Sequence, residues 1–315
     1  MREMENVYYA LLSYSTNNLG DDIQSIAAAQ FLPRIDFTID RDYMDKVPKV
    51  KGKIKIIMNG WFAHRLEGWP LPEYIDPLFV SFHITPSIVG EFLTPEIVNY
   101  LKKFKVGCRD TWTMELLRNH GINAYFSGCL TLTLNLHYKT SKKEDYILLV
   151  DLPVEILKIL PQEIIKNSKI RSNHVVSDLP GKNILRRVIP SAIRRKISRI
   201  YRSYMKKKAQ KPPPKRFELA RQRIYEVARA KLVITTRLHI ALPAVALDTP
   251  VILVARNPKD PRFSGLSDLM NMYSFEEFKY VAKNIEWCSI RNPNQEKLKD
   301  LQKKLIDTIT EFLGQ

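Results

Sequence analysis

At 315 residues, 45% of them apolar, the chain can bury a large core and is long enough for two domains. Its three cysteines (Cys108, Cys129 and Cys288) are too few and too scattered for a disulfide framework or a zinc site, and they fit a reducing compartment, most simply the cytoplasm. The net charge of +17 suggests nucleic acid until it is located: fourteen Lys or Arg residues and no Asp or Glu lie between Lys182 and Arg216, which leaves about +3 for everything else.

Taken from its start, the chain shows a charged Met1–Glu5 and a short, soon polar Val7–Leu12, so no signal peptide is expected. No apolar run approaches a membrane span, and a soluble or peripheral protein follows. Val7–Ser13 reads as a strand. Ser15–Asp22 (STNNLGDD) reads as a loop leading into a helix over Ile23–Phe31, with Asn18 beside Gly20 in a tight turn and Asp21 or Asp22 as the cap. Capping and turning alone would account for these residues, yet a loop after the first strand sits on the ligand side of an open sheet. Lys53–Met58 is another strand, followed by the turn Asn59–His64 (NGWFAH), and Leu78–His83 is a third, ending in Ser81-Phe82-His83. One histidine at a strand end is unremarkable; His64 and His83 at successive strand ends point to a cleft. Pro95–Lys103 should be helical, Lys105–Cys108 a short strand running into Arg109-Asp110, and Thr111–His120 a helix stopped by Gly121. Arg109 therefore stands where a strand meets a helix, although a surface ion pair with Asp110 would explain it equally. Ala124–Leu134 (AYFSGCLTLTL) adds a glycine turn and an apolar–threonine alternation, and the polar Lys139–Asp145 reads as a linker.

The second half opens with a strand over Tyr146–Leu152, helices over Val154–Leu160 and Gln162–Asn167, and a small strand at His174–Val176. In the basic insertion 182–216, Ile184, Leu185, Val188, Ile189, Ile193, Ile197, Ile200, Tyr201 and Tyr204 recur at near-helical spacing among the charges. An amphipathic basic helix of this kind suits an anionic membrane surface, which is the preferred reading. A solvated or disordered insertion and an RNA-binding patch are the alternatives, nucleic acid the least favoured. Lys211-Pro212-Pro213-Pro214 ends the insertion stiffly before a helix from Phe217 to Ala230.

Ala228–Ala255 (ARAKLVITTRLHIALPAVALDTPVILVA) organises the rest. It reads as strand Leu232–Thr235, a loop, helix Ile240–Leu247 and strand Val251–Ala255, a parallel pair with a right-handed crossover. The loop then lies at the carboxyl end of the sheet and carries Thr235, Thr236, Arg237 and His239, with Leu238 turned inward and Arg237 and His239 projecting together. Fixed positive charge beside a helix N-terminus makes this an expected anion site, against the plainer reading of an Arg and a His that merely cap a strand. Asn257–Asp268 brings Arg262 to the end of the next strand, near the same cleft. Asn294–Phe312 is a closing amphipathic helix.

NNLGDDIQSIAAAQFLP, NGWFAHRLEGWP, SFHI, VGCRDTWTMELLRNHGINAYFSGCLTLTL and AKLVITTRLHIALPAVAL together resemble the polysaccharide pyruvyl transferases over nearly the whole chain, the RLH element being the most specific. The resemblance implies an α/β fold of two Rossmann-like domains in a GT-B-like arrangement with an interdomain cleft. The expected division is 1–140 on the acceptor side, 141–293 on the donor side with the basic insertion, and a closing helix over 294–315. The implied reaction moves pyruvate from phosphoenolpyruvate to two hydroxyls of a sugar, in a cell-surface glycan or its lipid-linked precursor, forming a cyclic ketal and releasing phosphate. The family's roles map onto Arg237, His239 and Arg109 as catalytic and donor-binding residues. Leu238, Thr236 and Arg262 join them by position, and Asn18, Gly20, Asp21, His64 and His83 are the expected acceptor side. Physical chemistry agrees. Phosphoenolpyruvate carries a carboxylate and a phosphate that arginine forks match, and the reaction needs an acid and a base that histidine supplies near neutrality. Neither a cofactor nor a metal is expected. The competing readings are a nucleotide-sugar glycosyltransferase on the same fold and a non-catalytic basic binding protein.

Overall fold

The computed structural model describes residues 6–62, 65–175 and 213–314. Two parallel sheets dominate it. The first contains β1 (Val7–Ser13), β2 (Phe37–Asp40), β3 (Lys53–Met58) and β4 (Ile75–Phe79) in the order β2-β1-β3-β4. Its registers set Ala10 opposite Phe37, Val7 opposite Lys53 and Ile54 opposite Ile75. A parallel bridge from Phe82 to Cys108 continues the layer to β5 (Val106–Cys108), which pairs with β6 (Ala124–Phe126). The second sheet contains β7 (Ile147–Val150), β8 (Ser168–Arg171), β9 (Leu232–Thr235), β10 (Val251–Ala255) and β11 (Asn271–Ser274) in the order β8-β7-β9-β10-β11. Every pairing is parallel, and β9 and β10 are buried along their whole length, as apolar runs covered on both faces must be. Both sheets thus place their first strand between the second and the third. That order reverses the winding beside β1 and β7, and a crevice opens at the carboxyl ends there. This is the doubly wound, GT-B-like α/β arrangement that the sequence implied.

Helix α1 (Leu19–Ala29) shows why the halves cohere. All of Leu19–Ala28 is buried, so it has no solvent face. Its Ile23, Ile26 and Ala27 share one apolar cluster with Leu130 and Leu132 of the first half and with Phe217, Ile224, Leu242 and Val245 of the second. Each large aliphatic side chain so enclosed contributes about 1.5–3 kcal/mol. The smaller helices α2 (Val89–Phe92), α3 (Pro95–Leu101), α4 (Thr111–Asn119), α5 (Asn135–Tyr138), α6 (Val154–Leu157) and α7 (Gln162–Lys166) follow their strands, and α8 (Pro213–Arg229) and α9 (Leu238–Ala246) flank β9. After β11 come α10 (Phe275–Val281) and α11 (Gln295–Leu313). The last is amphipathic, burying Leu298, Leu301, Leu305, Ile309 and Leu313. It returns to the first half, where Gln302 donates to the Leu132 carbonyl at 2.8 Å and Lys55 donates to the Phe312 carbonyl at 2.5 Å.

Several local expectations are corrected. Leu130–Leu134 is a wholly buried 3-10 turn, not an alternating segment, because α1 and α11 enclose both of its faces. The third strand is Ile75–Phe79 and ends before Ser81, whose φ of 56° breaks extended pairing. Asn18, not Asp21 or Asp22, caps α1, its side chain accepting from the Gly20 amide. Helix α8 begins at Pro213, since prolines suit a first helical turn, and not near Phe217. His174 forms only a bridge to Asn18. Most of the basic insertion lies outside the described residues, but its final arginine belongs to the body. Arg216 is buried and grips Asp22 in a two-pronged ion pair, Nε to Oδ1 at 2.9 Å and Nη2 to Oδ2 at 2.6 Å, while Nη1 donates to the Thr16 carbonyl at 2.8 Å.

Candidate active site

A cavity of about 710 Å³ occupies the crevice between the two sheets. The loop after β1 supplies Asn18, the first turn of α1 supplies Asp21, and the segments after β4 and β5 supply His83 and Arg109. The β9–α9 junction adds Thr236, Arg237, Leu238 and His239, and the loop after β10 adds Arg262. Gly20 lies directly behind: a Cβ built there would stand 2.9 Å from the His239 Cβ, so only glycine lets α1 pass this close. His64 is outside the described residues. All other residues expected at the site are therefore on or against one surface.

One corner is cationic. Arg109 is buried, 4% exposed, and its Nε makes no hydrogen bond, with the nearest carboxylate oxygen, Asp110 Oδ2, at 3.7 Å. It is thus not the surface ion pair that Asp110 beside it could have formed. Burial pulls its proton affinity down, partly offset by Asp110, yet a guanidinium stays charged and here lacks a full partner. The Nε2 atom of His239 is likewise enclosed without a hydrogen bond. Burial, then the charges of Arg109, His83 and Arg262, hold His239 well below the usual histidine range, so it is neutral in the empty cavity. Such unmet polar atoms disfavour the empty fold by about 1–3 kcal/mol each, which an anion accepting from Arg109 and from a protonated His239 would recover. No side chain caps the start of α9, so its first amides add donors to the same corner.

Beside this corner stands a second histidine with a fixed partner. The Nδ1 of His83 lies 2.6 Å from Asp110 Oδ2 and 3.3 Å from Thr113 Oγ1, both buried. Asp110 also caps α4, its Oδ1 accepting from the Thr113 amide at 2.9 Å. Burial would raise the Asp110 carboxyl, but the hydrogen bond and charge of His83, then Arg109, hold it below its ordinary range. Burial and Arg109 push His83 down to about 4, against the pull of Asp110. The stable arrangement is an ionised Asp110 accepting the Nδ1 proton of a neutral His83, which leaves the Nε2 lone pair as a base.

Arg237 departs from expectation. It lines the same cavity as His239, but its guanidinium is already engaged: its Nε donates to Asp151 Oδ2 at 2.6 Å and its Nη2 meets His174 Nε2 at 3.1 Å, and its charge is not among those acting on His239. The reason is local. Arg237 is the residue before α9, in extended conformation, whereas His239 sits in its first turn with a ψ of 25°, off regular helical geometry. The hydroxyls of Thr235 and Thr236 are also engaged, donating to the carbonyls of Val150 and Asp151 at 3.2 and 3.0 Å. The Arg237 side chain remains 38% exposed and lines the cavity. On the loop after β1, Thr16 Oγ1 and Asn18 Nδ2 donate to Asp21 at 2.7 and 3.2 Å, fixing its carboxylate at the cavity edge.

Sequence reasoning missed Asp110 as the partner of His83, Asp151, Gln24, Trp61 and Asn173, of which all but Asp110 line the cavity. Asp151 carried a usable signal, since it directly follows the first strand of the second sheet. Asn173 carried none, being brought in by pairing of its neighbour His174 with Asn18.

Three comparisons complete the description. The family model for polysaccharide pyruvyl transferase matches residues 18–258. No curated protein matches the chain. Among solved structures, a UDP-N-acetylglucosamine 2-epimerase is similar at 9% identity and a TM-score of 0.51, with 98% of this chain and 96% of that one covered. An uncharacterised protein of Klebsiella pneumoniae is similar at 15% identity and a TM-score of 0.47, covering 85% and 92%. The UDP-GlcNAc 2-epimerase of Methanocaldococcus jannaschii is similar at 12% identity and 0.46, covering 97% and 99%. At such identities the first of these likenesses is one of fold.

Proposed function

Because the chain belongs to the polysaccharide pyruvyl transferase family, we propose that it moves pyruvate from phosphoenolpyruvate to two hydroxyls of one sugar, closing a cyclic ketal and releasing phosphate. The observation that carries this reading is the buried corner where Arg109 Nε and His239 Nε2 both lack a hydrogen bond, within reach of the Arg262 charge. A small molecule with two anionic groups meets both needs.

In the proposed reaction Arg109, Arg262 and the first amides of α9 hold the donor's anions, and Arg237 takes a share once its hold on Asp151 adjusts. The donor's negative charge raises the proton affinity of His239, which then delivers a proton to the methylene carbon of the enol. The first sugar hydroxyl bonds to the adjoining carbon and loses its proton to His83 Nε2, steadied by Asp110. Phosphate departs with the electron pair of its ester bond, and the second hydroxyl closes the ring. The two protons lost by the hydroxyls balance the one gained by carbon and the one gained by phosphate. No redox change occurs, so the reading calls for no cofactor beyond the donor itself.

The test is direct. Arg109→Ala or His239→Ala should abolish phosphate release from phosphoenolpyruvate with circular dichroism unchanged, and undiminished release from pure Arg109→Ala protein would refute the assignment. The likeness of fold to a nucleotide-sugar epimerase supports one other reading, a nucleotide-sugar glycosyltransferase. Thermal shifts with phosphoenolpyruvate against UDP- and GDP-sugars separate the two. Among the described residues no helix is long and apolar enough to cross a membrane. The basic segment is our proposed contact with an anionic membrane surface carrying a lipid-linked acceptor. Since Arg216 is structural, the informative deletion is 182–211, which should weaken liposome binding more than turnover.

A further inference from the structure

Two neutral amides on the cavity wall have no structural task. Asn173 is 1% exposed, and neither its Oδ1 nor its Nδ2 has a hydrogen-bond partner. Its main chain is fully used, the amide donating to Asp151 Oδ2 at 3.2 Å and the carbonyl accepting from Leu19 at 2.9 Å, so the side chain is held in place with its polar end unfilled. Gln24 is also 1% exposed, and its Oε1 is enclosed without a partner, while its carbonyl accepts from Asn59 Nδ2 at 2.9 Å. It lies four residues after Gly20 and hence on the same face of α1. Asn173 stands beside that glycine, whose hypothetical Cβ would be 3.3 Å from Asn173 Nδ2 and 2.9 Å from His239 Cβ. Both side chains line the cavity that holds the cationic corner.

We propose that Asn173 and Gln24 bind the acceptor, holding the non-reacting hydroxyls of an uncharged sugar ring; this rests on the donor reading of the Arg109 corner. A hydroxyl both gives and takes a hydrogen bond, which the Asn173 carboxamide, with both functions open, and the open Oε1 of Gln24 satisfy, whereas an anion only accepts and would leave both carbonyl oxygens unmet. The wall around them selects further. The Asp151 carboxylate is taken up by Arg237, but that of Asp21 is fixed at the cavity edge by the neutral donors Thr16 and Asn18, so a uronic acid or sugar phosphate would face like charge there. Neither residue touches the reacting carbon; they position the ring so that two other hydroxyls reach it.

Saturation-transfer NMR on the full chain tests this with methyl β-D-galactoside, methyl β-D-glucoside, methyl α-D-mannoside and methyl β-D-glucuronide, each with saturating phosphoenolpyruvate. The expected result is transfer to at least one neutral glycoside and none to the glucuronide. Asn173→Ala and Gln24→Leu should each weaken the neutral sugar by about tenfold, the effect of one lost hydrogen bond, with donor affinity by thermal shift unchanged. The near-isosteric Asn173→Asp and Gln24→Glu guard against misfolding and should weaken it as well. Wild-type protein that binds phosphoenolpyruvate but no neutral glycoside overturns the proposal, as does sugar binding that survives these substitutions. Absence of phosphoenolpyruvate binding to the wild type instead overturns the underlying donor reading.

Discussion

Replacing Asp110 by asparagine separates the structural from the chemical role of one carboxylate. The side-chain oxygen that accepts from the Thr113 amide survives, so the cap on α4, worth about 1 kcal/mol, is kept. With that oxygen committed, the new NH2 group faces His83 Nδ1 across the 2.6 Å contact. Two donors cannot share it, so His83 moves its proton to Nε2 and becomes an acceptor at Nδ1. A charge-assisted hydrogen bond of about 1.5–3 kcal/mol is exchanged for a neutral one of about 0.5–1.5 kcal/mol, and the fold should lose only about 1–2 kcal/mol. The chemical loss is larger, because the lone pair meant to receive the hydroxyl proton is gone. Loss of a general base costs about 100- to 10,000-fold in turnover. Urea denaturation and phosphate release at saturating phosphoenolpyruvate measure the two effects on the same sample. Turnover within threefold of wild type, in protein destabilised as expected, would refute the role assigned to the pair.

Other expectations follow from the same geometry. Arg216→Ala strands a buried Asp22 and should cost about 3–5 kcal/mol, while the double variant Arg216→Met with Asp22→Leu should recover much of that by urea titration. Gly20→Ala drives a methyl into His239 and should both weaken phosphoenolpyruvate binding and lower the melting temperature, read by calorimetry and thermal scan. Donor binding should take up protons near pH 7, since burial and then the neighbouring cations depress His239 and a bound anion offsets both; a binding enthalpy identical in phosphate and Tris buffers contradicts this. His83 is lowered to about 4 from an ordinary 6.5, so the unfolded chain gains its proton first. Stability should fall as pH drops from about 6.5 toward 4, and His83→Gln should flatten that slope.

Much of this was legible in the sequence, and the reason is geometric. A strand followed at once by a helix fixes which end of a parallel sheet its loop occupies, so Asn18, Arg109 and His239 could be assigned to one surface without knowledge of packing. Arg237 and His239 show the limit. Two residues apart, they read as neighbours, but a helix boundary falls between them and sends Arg237 to Asp151, a residue 86 positions away in the chain. The same blindness hid Asn173, placed by contact with the first half, and let Arg216 pass for part of a surface charge run when Asp22, 194 positions distant, buries it. Leu130–Leu134 shows another limit: its apolar–threonine alternation does not say which element forms, and with all five residues buried the chain makes a 3-10 turn.

The apolar cluster that α1 shares with both sheets has a bearing on how the enzyme would meet its substrates. Paired domains joined by a thin, polar contact swing freely and lose affinity to the fraction of time spent apart. Here one apolar cluster runs through both halves, and α11 crosses from one to the other like a strap. The crevice is therefore shaped before anything enters it, and small loop adjustments, not a hinge, would admit the donor.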